Sequence, residues 1–442
     1  MHIKTFLTTL LLTLFIPLPV QAQTAPVGGL LEKVTQAKQL LEPIKLNYAL
    51  TPQYKTVKKK KVLSHYTLTI KDLAVAVYDP ATGTILTTSA MQRGSEFEFP
   101  DRNFDIKKIR FNGVNTRFQV NKPAGGLVVA LKYLITPVES GSKVAIEQAM
   151  YPALYTPYAP ELTGIETSTA GDAYLTGVIQ SAAAALQNKS SVSVPGKTIP
   201  EAIKPELVRA LLYAEHMDTA EFINTTNTQS LIDKVNVLLA TNKGDTWKYS
   251  VSSAGAAGIS QFIPSTYASL VKRHTDVALV SDFVAGMRDH VNAVKATFIL
   301  LDDYIKAVQD RAPEYFLSGH AFDYGVAAYN GGPARVALAA KQFGTAWYED
   351  QSAKLAPYDE QIALQAKVVQ GLQSQIKKTT AKTQKSKLQA TLKTEQAKLD
   401  QAKAERAALD KAILRNETVN YVLKIHRLVQ VFNANPTNLA AK

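Results

Sequence analysis

The hydrophobic pattern of this chain changes its period along the sequence, and that change limits the folds that it can adopt. Between about residues 62 and 137 apolar and polar residues alternate, which is typical of strands with one buried face. From residue 201 onward apolar residues recur every three to four positions, which predicts amphipathic helices. The sequence therefore predicts an α+β protein, with a small β-rich domain at 23–165, a linker at 166–200 and a helical domain at 201–442.

Turn residues predict two hairpins inside the β-rich domain. The segment LAVAVYDPATGTILTTS has two alternating runs around a DPATG turn, and KKIRFNGVNTRFQV has Asn112-Gly113 at its bend. GGLVVALKYLITP is either a buried strand or a short helix, and LLEKVTQAKQLLEPI has the spacing of an amphipathic helix that Pro43 would end. The domain contains no catalytic combination of side chains, so the sequence leaves its role undefined beyond docking or substrate presentation.

The first 22 residues have the features of a secretory signal. Lys4 gives a basic start, LLLTLF an apolar centre, and the small residues up to Ala22 a cleavage site. Pro17 and Pro19 interrupt the apolar stretch, and an uncleaved membrane anchor is the alternative interpretation. The chain contains no cysteine, which excludes disulfides, thiolate metal sites, cysteine catalysis and lipid attachment to an N-terminal cysteine. We therefore expect an exported protein.

The formal net charge of the chain is +13, and about half of the excess lies in residues 352–416, with 13 Lys and Arg against 6 Asp and Glu. A basic surface favours acidic partners such as nucleic acid, anionic lipid or an anionic cell-wall polymer. After export nucleic acid is not expected. An envelope protein that binds the N-terminal domain or residues 355–414 is a further expected partner.

Residues 355–414 differ from the rest of the helical region because their apolar residues have heptad spacing on both sides of the polar segment TTAKTQKSK. Two arms of similar length predict an antiparallel helical hairpin, and the alternative is one long helix that dimerises. The heptad positions are Tyr358, Ile362, Val369, Leu372 and Ile376 in the first arm, and Leu388, Leu392, Leu399, Ala402, Leu409 and Ile413 in the second.

Glu215 is the first candidate for chemistry. Leu211 precedes it by four residues in the helical run LVRALLYA, so its carboxyl lies beside the apolar face of the helix. A carboxyl group with apolar neighbours has a raised pKa and retains a proton near neutral pH. Such a group can act as the general acid that protonates a glycosidic oxygen.

Two turns further along the chain supply polar groups suited to a sugar. AGAAGISQFIPSTY has glycines that allow close backbone approach, and the amide of Gln261 can both donate and accept hydrogen bonds. Tyr329 and Asn330 stand at a helix end before Gly331-Gly332-Pro333, where a ring can stack on a pyranose and an amide can position a hydroxyl or acetamide. A helix C-cap alone would also explain the glycines.

In their order along the chain, these segments resemble the SLT-type (soluble lytic transglycosylase-like) peptidoglycan lytic transglycosylases. Gly258-Ile259-Ser260-Gln261 is similar to the family's GLMQ-like turn, and residues 328–333 are similar to its AYNAGP-like turn. Residues 417–425 are similar to its ET..YV..I element, and DHVNAVKATFILLDDY to its central helix. The resemblance implies a lysozyme-like (goose-type) helical catalytic domain with Glu215 as acid and then base. It also implies a glycan cleft lined by Gly258, Ser260, Gln261, Tyr329, Asn330 and Tyr421.

The chain departs from the family pattern in three places. His216 follows the acid where the family usually has Ser, and the stretch from Glu215 to Gly255 is longer than usual, which leaves Glu221 as a rival acid. The predicted hairpin at 355–414 is a large insertion before the Tyr421 element, and it would reshape the cleft, cover it or bind a partner.

The reaction that the resemblance implies is cleavage of the β-1,4 bond between N-acetylmuramic acid and N-acetylglucosamine to a 1,6-anhydro product, in the periplasm of a bacterium. It needs one enzyme carboxylate, whereas a muramidase-type hydrolase would need a second, for which Asp218, Asp245 and Asp323 are the candidates. No cofactor or metal is expected, since HExxH and phosphate-loop motifs are absent. The alternatives are a non-catalytic peptidoglycan-binding protein or an assembly component of a cell-envelope secretion machine.

Overall fold

A computed structural model describes residues 29–58, 60–135, 151–250, 252 and 254–434. The expected signal at residues 1–22 lies outside the described residues. The chain divides into two compact units: unit 1 comprises Met1–Tyr174 and Asp233–Tyr249, and unit 2 comprises Leu175–Ile232 and Ser250–Lys442. No helix in the described ranges is long and apolar enough to cross a membrane. Helices and antiparallel sheets together confirm the α+β class.

Unit 1 is built on a six-stranded antiparallel sheet in the order β4-β3-β2-β7-β8, with β1 paired to the first half of the long strand β2. Strands β5 and β6 form a separate two-stranded sheet. The elements that begin before residue 175 are α1 (Leu30–Leu41), β1 (Tyr48–Val57), β2 (Lys60–Asp79), β3 (Thr84–Arg93), β4 (Glu96–Glu98), β5 (Asp105–Arg110), β6 (Arg117–Lys122), β7 (Leu127–Ile135), β8 (Tyr151–Tyr155) and α2 (Ile165–Ala184).

The local patterns in this unit are confirmed. Strands β2 and β3 pair across the DPATG turn, β5 and β6 pair across the bend at Asn112-Gly113, and the run predicted as strand or helix is the strand β7. Helix α1 ends at Leu41, just before Pro43. It packs its buried residues Val34, Ala37 and Leu41 against the sheet, since one apolar face of a helix and one of a sheet bury each other.

The division into units does not coincide with the boundaries expected from the sequence. The helical domain expected from the sequence includes residues 233–249, but these residues cluster with unit 1. Asn242 shows why: its Nδ2 donates to the carbonyl of Thr156 at 2.9 Å, and its Oδ1 accepts from the Thr156 N–H at 2.7 Å. About half of the segment expected as a linker, 166–200, lies in helix α2, which ends at Ala184.

Unit 2 is helical. Its elements, together with the helix α6 that the unit boundary divides, are α3 (Ile199–Ala202), α4 (Pro205–Glu215), α5 (Thr219–Asn224), α6 (Thr228–Asn242), α7 (Pro264–Arg273), α8 (Phe283–Arg288), α9 (His290–Arg311), α10 (Ala321–Gly331), α11 (Pro333–Phe343), α12 (Ala356–Lys378), α13 (Lys382–Ala412) and α14 (Asn416–Ala434). Proline occupies the first turn of α4, α7 and α11, where its missing N–H has no intrahelical partner to lose.

Helix α9 is the central element of unit 2 and contacts α3, α4, α7, α8, α10 and α11. Apolar residues recur at helical spacing throughout residues 283–308, which predicts one continuous helix, but the helix is interrupted at Asp289. The backbone of Asp289 is extended, and its carboxylate accepts a hydrogen bond from the N–H of Asn292 at 3.0 Å. An N-cap of this kind starts a new helix.

Helices α12 and α13 lie antiparallel to each other. Gln365 Nε2 donates to the carbonyl of Glu395 at 3.1 Å, and Arg406 pairs with Asp359 at 3.0 Å. Paired residues are therefore farther apart in sequence the farther they lie from the turn near Thr379, as in an antiparallel hairpin. At the other end α13 contacts α11, and Arg335 donates to the carbonyl of Ile413 at 3.2 Å.

Candidate active site

Glu215 is the last residue of helix α4 and is partly buried. The three residues Leu211, Leu212 and Ala214, which precede it on the helix, are buried, so the carboxyl lies at the edge of the apolar core. The C-terminal end of a helix carries partial negative charge, which also disfavours an ionised carboxylate there. The environment therefore favours the protonated form of this side chain.

Tyr421, on helix α14, donates a hydrogen bond from its hydroxyl to Oε1 of Glu215. Burial raises the pKa of Glu215 to about 7, although the Tyr421 hydrogen bond and the charge of Lys424 both lower it, and Glu417 raises it. Burial also raises the pKa of the Tyr421 phenol well above its usual value, so this group stays a donor. A carboxyl group with a pKa near neutrality can both give and take a proton at physiological pH.

Lys424 is a residue of this site that the sequence analysis missed. It is 2% exposed, and its Nζ donates to the carbonyls of Ala214 at 3.0 Å and Met217 at 2.8 Å. Ala214 lies in the last turn of α4 and Met217 lies two residues beyond its end, so the ammonium group binds carbonyls at the C-terminal end of the helix, beside Glu215. Burial lowers the pKa of Lys424, and the charge of Glu215 opposes that shift. One sequence feature could have identified Lys424: it stands three residues after Tyr421, and therefore on the same face of the helix, among mostly apolar residues.

Gly258 and Gln261, at the two ends of one turn, both have left-handed backbone conformations. Gly258 has φ +71°, and a Cβ there would lie 2.5 Å from the carbonyl oxygen of Met287, so only glycine fits. Gln261 has φ +49° without being glycine, and its Nε2 donates to the carbonyl of Gly258 at 2.8 Å. Backbone strain of this kind persists only where the surroundings enforce it, and it concentrates at functional sites.

Ser260 and Tyr329 are joined inside the protein. Ser260 is fully buried, its Oγ accepts from Thr297 Oγ1 at 2.8 Å, and its carbonyl accepts from the Tyr329 hydroxyl. Burial, followed by the charge of Glu215, raises the pKa of Tyr329 well above its usual value. The side chain of Ser260 is therefore turned into the core, and Tyr329 anchors the turn while lying within electrostatic range of Glu215.

His216 connects the acid to the same turn. Its Nε2 lies 2.8 Å from the carbonyl oxygen of Ile259, which can only accept, so Nε2 carries the proton. Burial lowers the pKa of His216 to about 3, which keeps the imidazole neutral. His216 thus links the end of α4 to the Gly258–Gln261 turn.

Asn330 is exposed near the end of helix α10, and its Oδ1 accepts a hydrogen bond from Thr418 Oγ1 at 2.7 Å. A Cβ on the neighbouring Gly331 would lie 2.8 Å from that same Oγ1, so this glycine permits the close approach of α14. Helix α14 therefore contributes to the site three times, through Thr418, Tyr421 and Lys424.

The rival carboxylates have other surroundings. Glu221 is exposed on α5, Asp323 lies between His426 (2.7 Å) and His320 (3.0 Å), and Asp245 belongs to unit 1, where it pairs with Lys248 at 2.7 Å. Glu417 is exposed but close enough to raise the pKa of Glu215. Among the described residues, no group of three His, Cys, Asp or Glu side chains could hold a metal ion.

Comparison with known proteins assigns the central part of this chain to a family. Residues 240–351 match the family model of the transglycosylase SLT domain, and the match includes both the Gly258–Gln261 turn and Tyr329-Asn330. Glu215 and Tyr421 lie outside the matched residues. No curated protein and no solved structure matches the chain significantly. The match confirms the resemblance for the motifs that lie within it: residues 240–351 are similar to the transglycosylase SLT domain.

Proposed function

We propose that this protein is a peptidoglycan lytic transglycosylase that cleaves the β-1,4 bond between N-acetylmuramic acid and N-acetylglucosamine without water. The observation that carries the proposal is the environment of Glu215, whose pKa is raised to about 7 by burial while Tyr421 donates to its carboxylate. The SLT domain match supplies the substrate class. A lysozyme-like (goose-type) arrangement of unit 2 belongs to the same proposal.

One carboxyl group can perform both proton transfers of this reaction. Protonated Glu215 gives its proton to the glycosidic oxygen as the bond from that oxygen to C1 of the muramic residue breaks. The substrate acetamide stabilises the positive charge at C1. The Glu215 carboxylate then takes the proton of the C6 hydroxyl as O6 bonds to C1, which closes the 1,6-anhydro ring and restores the acid. A pKa near 7 suits both steps, since neither protonation state is far from the ambient pH.

The surroundings of Glu215 support a lyase more than a hydrolase. A retaining hydrolase needs a second carboxylate roughly 5 Å from the first, and an inverting one needs it roughly 6.5–9.5 Å away to hold a water. Of the candidate second carboxylates in unit 2, Asp218 caps α5 by accepting from the Glu221 N–H at 2.9 Å, Asp323 is engaged by two histidines, and Glu417 is exposed. Glu417, whose charge raises the pKa of Glu215, is therefore the first residue to test if hydrolysis occurs, followed by Asp218.

The glycan contacts that we propose come from the rim of the site. Gln261 and Asn330 are at least partly exposed and carry amides that can meet hydroxyl or acetamide groups. Gly258 and Ser260 act through the backbone of their turn, because one has no side chain and the side chain of the other is buried. We further propose that the α12–α13 hairpin is an insertion into the catalytic domain.

Export to a bacterial periplasm, with peptidoglycan strands as the substrate, completes the proposal. It rests on the signal-like features of residues 1–22 and on the SLT domain match. An envelope protein partner remains a proposal that follows from the additional domains.

Mass spectrometry of the soluble products from purified peptidoglycan tests this function. Residues 23–442 are compared with Glu215→Gln and with Glu221→Gln, which removes an exposed carboxylate six residues away as the matched control. We expect anhydro-muropeptides from the parent protein and from Glu221→Gln, and none from Glu215→Gln. Reducing-end muropeptides would instead show a muramidase, with Glu417→Gln as the next variant. Binding of peptidoglycan without any product would favour a non-catalytic wall-binding or assembly protein.

A further inference from the structure

The outer part of the α12–α13 hairpin carries charge of one sign only. Beyond the contact between Gln365 and Glu395, residues 366–394 contain seven lysines and no acidic residue. At 1.5 Å per residue, each arm of this segment is roughly 20 Å long. The lysines are Lys367, Lys377, Lys378, Lys382, Lys385, Lys387 and Lys393, and all seven are exposed. We call residues 366–394 the hairpin tip.

The inner part of the hairpin is organised differently. There Asp359 pairs with Arg406, Glu395 with Lys398, and Asp410 with Arg406. In contrast, none of the seven tip lysines forms an ion pair through its ammonium group with any residue in the described ranges. A helix surface that serves only solubility usually intersperses both signs and gains from pairs one turn apart. The separation of charge along the hairpin therefore indicates a surface for an anionic partner.

The shape and composition of the tip narrow the class of partner. The end of a two-helix hairpin is convex, and residues 366–394, including the turn Thr379-Thr380-Ala381, contain no aromatic side chain that could stack on a single ligand. All seven cations are lysines, which act as hydrated point charges, whereas recognition of one carboxylate or phosphate group favours the planar fork of arginine. A convex cluster of point charges is suited to an extended surface of many anions.

We propose that the hairpin tip is an electrostatic docking site for the surface of a bilayer that contains anionic phospholipid. Each lysine near such a surface adds to the free energy of binding. The attraction falls off within a Debye length of about 8 Å at physiological ionic strength. The tip carries no large exposed apolar side chain near its turn, so the contact is adsorption to the headgroups without insertion. This inference does not depend on the proposed glycan cleavage.

Vesicle co-sedimentation of residues 23–442 tests the proposal. The probes are phosphatidylcholine vesicles and vesicles with about one third phosphatidylglycerol, at about 0.1 M and about 0.5 M salt. The tip variant is Lys377→Gln/Lys378→Gln/Lys382→Gln. The control variant is Lys58→Gln/Lys60→Gln/Lys61→Gln, which removes the same charge from exposed lysines near the turn between β1 and β2. Glutamine retains helix propensity, and circular dichroism checks that the helices are intact.

We expect binding to the anionic vesicles that high salt abolishes, and a loss of about a hundredfold in affinity for the tip variant from three lysines at the surface. The control variant should lose no more than a fewfold. Equal losses in both variants would show that net charge alone drives binding, and would overturn the proposal. So would a tip variant that binds as well as the parent. Sedimentation with purified peptidoglycan but not with vesicles, lost in the tip variant, would assign the tip to the wall polymer. Product formation from peptidoglycan is measured in a separate assay. Failure of the proposed glycan cleavage can therefore be distinguished from failure of the proposed membrane docking.

Discussion

The hydroxyl of Tyr421 donates a hydrogen bond to Oε1 of Glu215 across 206 positions of sequence. Because Glu215 ends α4 and Tyr421 lies in α14, the protonation of the candidate acid depends on how these two helices pack. Lys424, one turn further along α14, donates to the carbonyls of Ala214 and Met217 at the C-terminal end of α4. Through these two contacts α14 positions the candidate acid and also forms part of the candidate site.

Replacing Tyr421 by Phe should shift the pH dependence of cleavage. In the proposed mechanism the rate requires protonated Glu215, so kcat/KM of the parent should fall as the pH rises through about 7. The Tyr421 hydrogen bond lowers the pKa of Glu215, so its loss should move this alkaline limb upward by roughly one pH unit. Rates of anhydro-product formation between about pH 5 and 9 measure the shift. Tyr358→Phe, on the hairpin, is the control, and an unmoved limb in Tyr421→Phe would contradict the coupling.

Glu215→Gln should stabilise the protein at alkaline pH and not at acid pH. The folded-state pKa is raised from 4.5 to about 7, so the unfolded chain releases this proton at lower pH than the folded protein. Stability therefore falls as the pH rises from about 4.5 to 7 and stays lowered above it, by at most roughly 3 kcal/mol. Urea unfolding at about pH 4 and about pH 8 measures the difference between parent and variant. An equal difference at both pH values would contradict the raised pKa.

Lys424→Met should affect both stability and chemistry. The variant leaves the carbonyls of Ala214 and Met217 without their ammonium donor, at a cost of roughly 2–3 kcal/mol in the free energy of unfolding. It also removes a charge that lowers the pKa of Glu215, so the alkaline limb of kcat/KM should move to higher pH. Lys411→Met, which replaces an exposed lysine at the end of α13, should change neither quantity. If Lys424→Met unfolded normally and kept the parent's pH profile, the assigned role would be wrong.

His216 should act as a neutral hydrogen-bond donor and not as a titrating group. Burial lowers its pKa to about 3, so no change in rate between about pH 5 and 7 should arise from it. His216→Ala removes the donor to the Ile259 carbonyl and should reduce kcat/KM roughly tenfold through displacement of the Gly258–Gln261 turn. His216→Gln supplies another N–H donor and should recover part of the rate. Equal losses in the two variants would exclude the hydrogen bond as the cause.

Gly258→Ala should destabilise unit 2 strongly. The new Cβ would lie 2.5 Å from the carbonyl oxygen of Met287, and the residue would retain φ near +71°. We expect a loss of roughly 2–4 kcal/mol in the free energy of unfolding. Gly371→Ala is the matched control, since its Cβ meets no atom within 4 Å and alanine favours a helix. Chemical denaturation of both variants decides the matter, and a stable Gly258→Ala protein would contradict the assigned close approach.

Local sequence patterns determined much of the architecture. Period-two runs and turn residues predicted the hairpins β2–β3 and β5–β6, and Gly331-Gly332-Pro333 predicted the break between α10 and α11. The motifs also located both turns inside the SLT domain match. These features depend on neighbours within a few residues, which a pattern can report.

The tertiary structure decided the electrostatics and the partners. Apolar periodicity across 283–308 concealed the break at Asp289, because the side-chain cap there competes with the helix locally. The orientation of Ser260 into the core, the bond from Tyr421 to Glu215 and the capping by Lys424 all join residues distant in sequence. Burial is the main cause of the raised pKa of Glu215, and burial depends on which distant elements exclude water from the side chain. The sequence alone could therefore suggest Glu215 as an acid. Only the packing of the helices provides the surroundings that raise its pKa.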